Sequence, residues 1–174
     1  MALQQFLEIG EAVSTHGIAG ELRVQPWCDS ADVFCSLKTL YLDANGTKKV
    51  KVKSRPHGRV VLVKVEGLND ATTAATWRGK VFYAARRDLK LEKGRYFICD
   101  LIGLSVKDAD SGEVYGTVVD VTNTGASDIY HMKSADGKLI LIPAIPDIIQ
   151  SVQPEGDGIA IRVMEGLFDA CDLT

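Results

Sequence analysis

The stretch STHGIAGELRV, Ser14–Val24, combines a histidine with two glycines three residues apart, and a strand-like run follows directly. A catalytic histidine needs a nucleophile or a carboxylate within hydrogen-bond reach, and the sequence holds no hydrolase or metalloprotease motif that would supply one to His16. Gly17 and Gly20 fit the GXXG loop that clamps nucleic acid, but that loop joins two helices. A tight turn with glycine at positive φ is the better interpretation.

The cysteines and histidines do not predict a metal site. Cys28, Cys35, Cys99 and Cys171 form no C-x-x-C pair, whereas a four-ligand zinc site usually brings its ligands in close pairs. The three histidines are scattered along the chain. We therefore expect four reduced, mostly buried thiols, and no metal or other cofactor.

A basic stripe is the strongest binding signal. In KVKVKSRPHGR, the cations Lys49, Lys51, Lys53 and Arg55 recur at every second position. A strand would place them on one face over about 20 Å, a spacing that could follow a phosphate backbone. The alternative is an ordinary solvated outer face of a barrel strand.

Two adjacent aromatic residues, Tyr96 and Phe97, form a second candidate interface. In an extended chain they project to opposite sides, so one ring should enter a core and the other should be available to a partner. Tyr96 is the preferred outward ring because its hydroxyl tolerates water or a polar partner. The alternative is that the second ring packs against the N-terminal half.

The elements that must position these residues are mostly strands. Short segments rich in Val, Ile, Leu and Tyr alternate with turn residues through both halves of the chain, a pattern typical of small barrels or sandwiches. One short helix is expected in NDATTAATWRG, capped by Asn69 or Asp70 and packed through Ala71, Ala74, Ala75 and Trp77. A second helical turn should follow the cap Ser30. The predicted fold is therefore mainly β: two small β-barrel domains joined by a short linker, with one or two short helices.

Charge divides the chain at the same place as the expected linker, RRDLKLEKGRY. Residues 1–95 carry 16 Lys and Arg against 10 Asp and Glu, or +6, while residues 96–174 carry 4 against 13, or −9. A basic half could meet nucleic acid, and an acidic half would suit a basic protein. The chain shows no apolar run of membrane-spanning length and no signal-peptide pattern, so we expect a cytoplasmic protein.

Several motifs together resemble one family. IGEAVSTHGIAGELRVQP is similar to the opening motif of the ribosome maturation factor RimM family, 16S rRNA-processing proteins. The stretches RYFICDLIGLSV, GEVYGTVVDV, LILIPAIPDIIQSV and IRVMEGL resemble its C-terminal PRC-barrel domain in order and spacing. Phe97 is a departure, since the family often has a second tyrosine there.

The resemblance implies an N-terminal RimM-type barrel at residues 1–88 and a PRC-barrel at residues 93–174. His16, Gly17, Gly20 and Glu21 would then be a family-signature turn and not an active site. The implied protein is a non-enzymatic assembly factor that binds the precursor 30S subunit at its head and assists 16S rRNA processing. Its implied partner is small-subunit ribosomal protein number nineteen, bound through Tyr96 and Phe97, with Lys49, Lys51, Lys53 and Arg55 as candidate contacts to 16S rRNA.

Two other functional classes stay open at this point. A hydrolytic or RNA-modifying enzyme would need a convergent catalytic group, which the sequence does not offer. A PRC-barrel protein–protein adaptor unrelated to ribosomes is the second alternative, and the N-terminal H-G-x-x-G-E pattern argues against it.

Overall fold

The computed structural model describes residues 3–28 and 30–168. The chain forms two compact units, one of residues Gln4–Leu91 and one that begins at Glu92. This division lies inside the charged segment where the sequence predicts the linker. The ranges 1–88 and 93–174, as independently folding pieces, stay predictions.

The first unit is a closed six-stranded barrel with strand order β1-β2-β5-β4-β3-β6. Its strands are β1 (Phe6–His16), β2 (Glu21–Pro26), β3 (Thr39–Tyr41), β4 (Lys49–His57), β5 (Val60–Val65) and β6 (Val81–Ala85). Every second residue of these strands faces the interior, which is filled by Phe34, Phe82, Leu22, Leu40 and valines of β2, β4 and β5. Each strand overlaps a segment that the alternation predicts.

Two short helices pack on this barrel. Helix α1 (Ala31–Ser36) begins after Ser30, whose hydroxyl accepts from the Val33 amide, and helix α2 (Ala71–Ala75) begins after Asp70. In α2, Ala74 is fully buried and Trp77, just beyond the helix, packs on the core. Ala75 is exposed, so its expected packing role is wrong: a five-residue helix buries only one narrow face.

The second unit contains a six-stranded sheet in the order β10-β9-β8-β7-β12-β11. Its strands are β7 (Ser105–Asp108), β8 (Val114–Asn123), β9 (Asp128–Ser134), β10 (Leu139–Pro143), β11 (Ile149–Gln153) and β12 (Gly158–Ile161). All neighbouring pairs are antiparallel except β12 and β7. The core of this unit includes Leu101, Val106, Tyr130, Met132 and several isoleucines.

The predicted mainly β fold is confirmed, with one more helix than expected. Helix α3 (Ile98–Leu101) directly follows the aromatic pair. It forms because Leu101 turns into the second core and is buried there. A 3-10 turn at Arg86–Asp88 follows β6. No helix among the described residues is long and apolar enough to cross a membrane.

The thiols of the described residues are not uniformly buried. Cys28 and Cys35 are half-buried beside the first core, and Cys99 is exposed. The expectation of mostly buried thiols is therefore wrong for Cys99, because α3 directs it away from the core. Burial, followed by the charge of Asp32 and the nearby Cys28, raises the pKa of the Cys35 thiol. Cys171 lies outside the described residues.

Candidate functional site

The turn between β1 and β2 is held by contacts of its backbone. Gly17 and Gly20 have φ of +66° and +79°, a conformation that side chains with a Cβ rarely adopt. A Cβ on Gly20 would lie 2.7 Å from the Leu68 carbonyl oxygen, so only glycine allows this close approach. The Lys64 ammonium donates to the carbonyls of Ala19 and Leu68 and ties the turn to the segment before α2.

His16 ends β1 beside basic groups. Arg23 Nη2 lies 3.3 Å from His16 Nδ1, and the ring of His57 lies 5.3 Å from the His16 ring, centroid to centroid. A guanidinium can only donate, so Nδ1 accepts and cannot at the same time deprotonate a nucleophile. This arrangement agrees with a binding or structural role for the turn. Among the described residues, no group of three or more His, Cys, Asp or Glu is placed to hold a metal ion.

One apolar side chain at this turn was missed by sequence reasoning. Ile18 lies between the two glycines and is 90% exposed, the largest exposure among the large apolar residues that the structure describes. The signal was available, because a residue at the tip of a tight turn cannot reach the barrel core. Ile18 therefore gives the rigid turn an apolar tip that a partner could cover.

The basic stripe lies on the outside of β4, as its period predicts. Lys49, Lys51 and Lys53 are exposed, whereas Val50 and Val52 turn toward the core. Within the described part of the chain, no carboxylate lies within ion-pair distance of these three lysines. Three uncompensated positive charges on one strand face attract a polyanion more strongly than scattered lysines do.

Arg55 differs from the lysines of the stripe. Its Nη2 donates to both carboxylate oxygens of Glu21, at 3.2 and 3.0 Å. The cross-strand register explains why Arg55 and Glu21 lie close together. Leu62 of β5 pairs with Arg55 of β4 on one side and with Arg23 of β2 on the other. Glu21 lies two residues before Arg23, on the same face of β2. The structure thus brings together the signature turn and the stripe, which lie 34 residues apart in the sequence.

Tyr96 of the aromatic pair is half-buried and packs against the core of the second unit. It lies near Tyr130. The pKa of Tyr130 is raised to about 12, mainly by burial and then by the charge of Asp128 and the nearby Tyr96. Tyr96 therefore packs on the core side, against the preference for it as the outward ring, while contact of its half-buried ring with a partner stays a prediction. The outward preference considered only the hydroxyl group of Tyr96, whereas its aromatic ring makes apolar contacts with the core.

Phe97 is half-buried and directly precedes α3, with an extended backbone at φ −70° and ψ 136°. Ile98 and Ile102, one helical turn apart beside it, are 50% and 40% exposed. Phe97, Ile98 and Ile102 are named the α3 surface below. This surface is apolar, lies in the acidic half, and includes two residues that sequence reasoning did not select.

Comparison with known proteins assigns both units to described domain families. Residues 7–89 match the RimM N-terminal domain, and residues 93–168 match the PRC-barrel domain. The two matches follow one another with a short gap in the charged segment.

Relatives match over nearly the whole chain. A protein of Clostridium botulinum (strain Langeland), named ribosome maturation factor RimM, is 36% identical over 94% of this chain and 97% of its own. A protein of the same name from Caldicellulosiruptor bescii is also 36% identical, over 96% of this chain and all of its own. A crystal structure from Pseudomonas aeruginosa, described as a 16S ribosomal RNA processing protein RimM, is 26% identical over 91% of this chain and 98% of its own, with a TM-score of 0.45. From the two domain matches and the full-length relatives, the chain belongs to the ribosome maturation factor RimM family.

Proposed function

We propose that the protein is a non-enzymatic assembly factor that binds the precursor 30S subunit and assists 16S rRNA processing. The observation that carries this proposal is the division of charge between two separately packed units, with +5 in residues 1–91 and −8 in residues 92–174. A basic unit suits rRNA, and an acidic unit suits a basic ribosomal protein. The full-length relatives, named ribosome maturation factors, support the same role.

In this proposal the first unit contacts 16S rRNA through the three lysines of the β4 stripe. Their side chains are exposed, evenly spaced and without carboxylate partners among the described residues. Phosphate neutralisation releases counterions, so such a contact weakens as salt rises. Arg55 contributes less, because Glu21 offsets its charge.

The second unit binds small-subunit ribosomal protein number nineteen, near the head of the subunit, through the α3 surface. Phe97 provides the aromatic anchor, and Ile98 and Ile102 extend it with exposed apolar area. Tyr96 supports the surface from the core side. The factor then leaves when the mature subunit binds it more weakly than the precursor does.

The test is capture of precursor 30S subunits by the tagged full-length protein. We compare the double variant Lys51→Glu/Lys53→Glu with the control Lys90→Glu/Lys93→Glu, which makes the same charge change at exposed positions outside β4. The stripe variant should capture less precursor and show a flatter salt dependence, whereas the control should behave like the parent.

The outcomes separate the candidate functions. Capture of basic proteins without any precursor subunits would favour a PRC-barrel adaptor unrelated to ribosomes. Equal losses in the two double variants would remove the stripe from the rRNA contact. Precursor capture that is lost in the stripe variant alone would support the proposal.

A further inference from the structure

The β4 stripe is continuous with a second group of cationic and imidazole side chains across the barrel. His57 ends β4, and its ring lies 5.3 Å from His16 at the end of β1, while Arg23 of β2 lies 3.3 Å from His16. We propose that His16, Arg23 and His57, named the imidazole cluster, form a second RNA phosphate site whose affinity rises as pH falls. This proposal rests on the proposed rRNA contact and assigns it further residues and a pH dependence.

Strand order explains why residues from three strands meet. In the barrel, the strands lie in the order β1-β2-β5-β4, so the short strand β5 separates β2 from β4. Arg23, Leu62 and Arg55 are register partners across these strands and therefore share one face of the sheet. Leu62 is only 1% exposed, does not belong to the interior core cluster, and lies between the register positions of Arg23 and Arg55. Long arginine side chains beside a buried leucine can lay their apolar stems over it and hold their charged ends together at the surface.

The other charged groups on this surface leave an excess of positive charge. The carboxylate of Glu21 is bound by Arg55. Lys64 of β5 donates to two backbone carbonyls of the turn, and Lys53 is its register partner on β4. Arg59, in the hairpin after His57, is exposed. An anion that reaches the cluster therefore meets Arg23, while Glu21, the described carboxylate that pairs in register with His16, is already bound by Arg55.

The close imidazole pair makes anion binding and proton uptake mutually dependent. In the free protein the Arg23 guanidinium donates to His16 Nδ1, so this nitrogen carries no proton. A bound phosphate accepts from Arg23 in its place and attracts the charged form of each ring. RNA binding is then coupled to proton uptake. Each coupled histidine can raise the RNA affinity by up to about tenfold for every unit by which the pH falls.

The experiment measures the affinity of the full-length protein for a fluorescein-labelled single-stranded oligouridylate at constant salt, from about pH 8 to about pH 6, the range in which histidine titrates. The parent should bind on the order of tenfold more tightly at the acidic end. His57 is exposed, and the variant His57→Gln removes one of the two titrating rings. Its affinity should therefore rise by only about half as much as that of the parent, measured on a logarithmic scale. His16→Gln tests the partner ring, with circular dichroism as the check on folding.

The chain offers a matched control in His131, the remaining histidine. It lies in the second unit, with Nε2 2.9 Å from the Thr122 hydroxyl, so His131→Gln removes the same titrating group away from the cluster. His131→Gln should keep the pH dependence of the parent. RNA affinity that does not change with pH, or a pH dependence that is as large in folded His57→Gln as in the parent, would overturn the imidazole cluster. If either result is found while Lys51→Glu/Lys53→Glu still reduces the salt dependence, the proposed function stands without the imidazole cluster. If the protein binds no RNA at any pH, both the imidazole cluster and the proposed rRNA contact are wrong.

Discussion

The Arg55 guanidinium lies 3.0 Å from a carboxylate oxygen of Glu21, and this ion pair joins the end of β4 to the first residue of β2. The two residues belong to separate sequence patterns, the stripe and the signature turn. Because Glu21 offsets the charge of Arg55, the acidic residue of the turn limits how much positive charge the stripe presents. It also holds the Arg55 side chain toward β2, across β5.

The first prediction follows from this ion pair. Glu21→Gln should release Arg55 and steepen the salt dependence of RNA affinity by up to about 0.7 in log–log slope. It should cost no more than about 1 kcal/mol of unfolding free energy, since the arginine side chain is 57% exposed and solvent screens the pair. Salt titration of oligouridylate binding and urea unfolding measure the two effects. Glu113→Gln, an exposed change in the second unit, is the charge control, and equal slopes in both variants would contradict the role of Glu21.

The second prediction separates the two glycines of the turn. Gly20→Ala should lose more stability than Gly17→Ala, although both have positive φ. At Gly17 the new Cβ meets open space, so the cost is the backbone strain alone, about 1 kcal/mol. At Gly20 the Cβ would also lie 2.7 Å from the Leu68 oxygen and 2.9 Å from the Asp70 nitrogen, which forces the turn away from α2. Urea unfolding compares the two variants, and equal losses would show that the close approach is unimportant.

The third prediction concerns the aromatic pair. Tyr96→Ala should lower the free energy of unfolding by about 2 kcal/mol, less than for a fully buried ring, because Tyr96 is half-buried on the second core. Phe97→Ala should retain more stability but weaken binding of the ribosomal protein by about 2 kcal/mol if the α3 surface is the interface. Thermal unfolding and titration calorimetry measure the two quantities for each variant. A binding loss confined to Tyr96→Ala in the folded protein would restore the original outward assignment.

Much of the fold could be predicted because strand alternation and turn residues are local signals. The pattern of Lys49 to Lys53 predicts both the strand and its exposed face, and Ser30 and Asp70 mark the starts of α1 and α2. Helix α3 was missed because four residues are too few to show a helical period. The exposed position of Ala75 was missed for the related reason that the helix ends there instead of continuing to Gly79.

The site was less predictable because its contacts join distant strands. Nothing in the local sequence indicates that Glu21 meets Arg55, or that His57 approaches His16, since both contacts depend on the barrel order β1-β2-β5-β4. The orientation of Tyr96 likewise depends on where the second core lies. Residue type identified the stripe and the turn, but only the three-dimensional arrangement joins them into one surface.

The last prediction concerns acid stability and the turn between β3 and β4. Asp43 Oδ1 accepts from the amides of Asn45 and Thr47, at 2.9 and 3.0 Å, and Oδ2 accepts from the Thr47 hydroxyl and the Lys48 amide, at 3.0 and 2.6 Å. These bonds, that of the Thr47 amide above all, lower the pKa of Asp43 from its usual value of 3.8.

A carboxyl group whose pKa is lower in the folded state stabilises the protein above its unfolded pKa, and this contribution is lost as pH falls through the folded value. The unfolding free energy of the parent should therefore fall as pH decreases below about 4. Asp43→Asn should be less stable near neutral pH and should show a shallower fall in acid, though not a flat profile, because Asp70, Asp108 and Asp136 also have lowered pKa values. Urea unfolding across this acid range measures the slopes, with exposed Asp147→Asn as the control. If Asp43→Asn and Asp147→Asn keep the same slope as the parent, the four hydrogen bonds do not contribute to the acid dependence of stability.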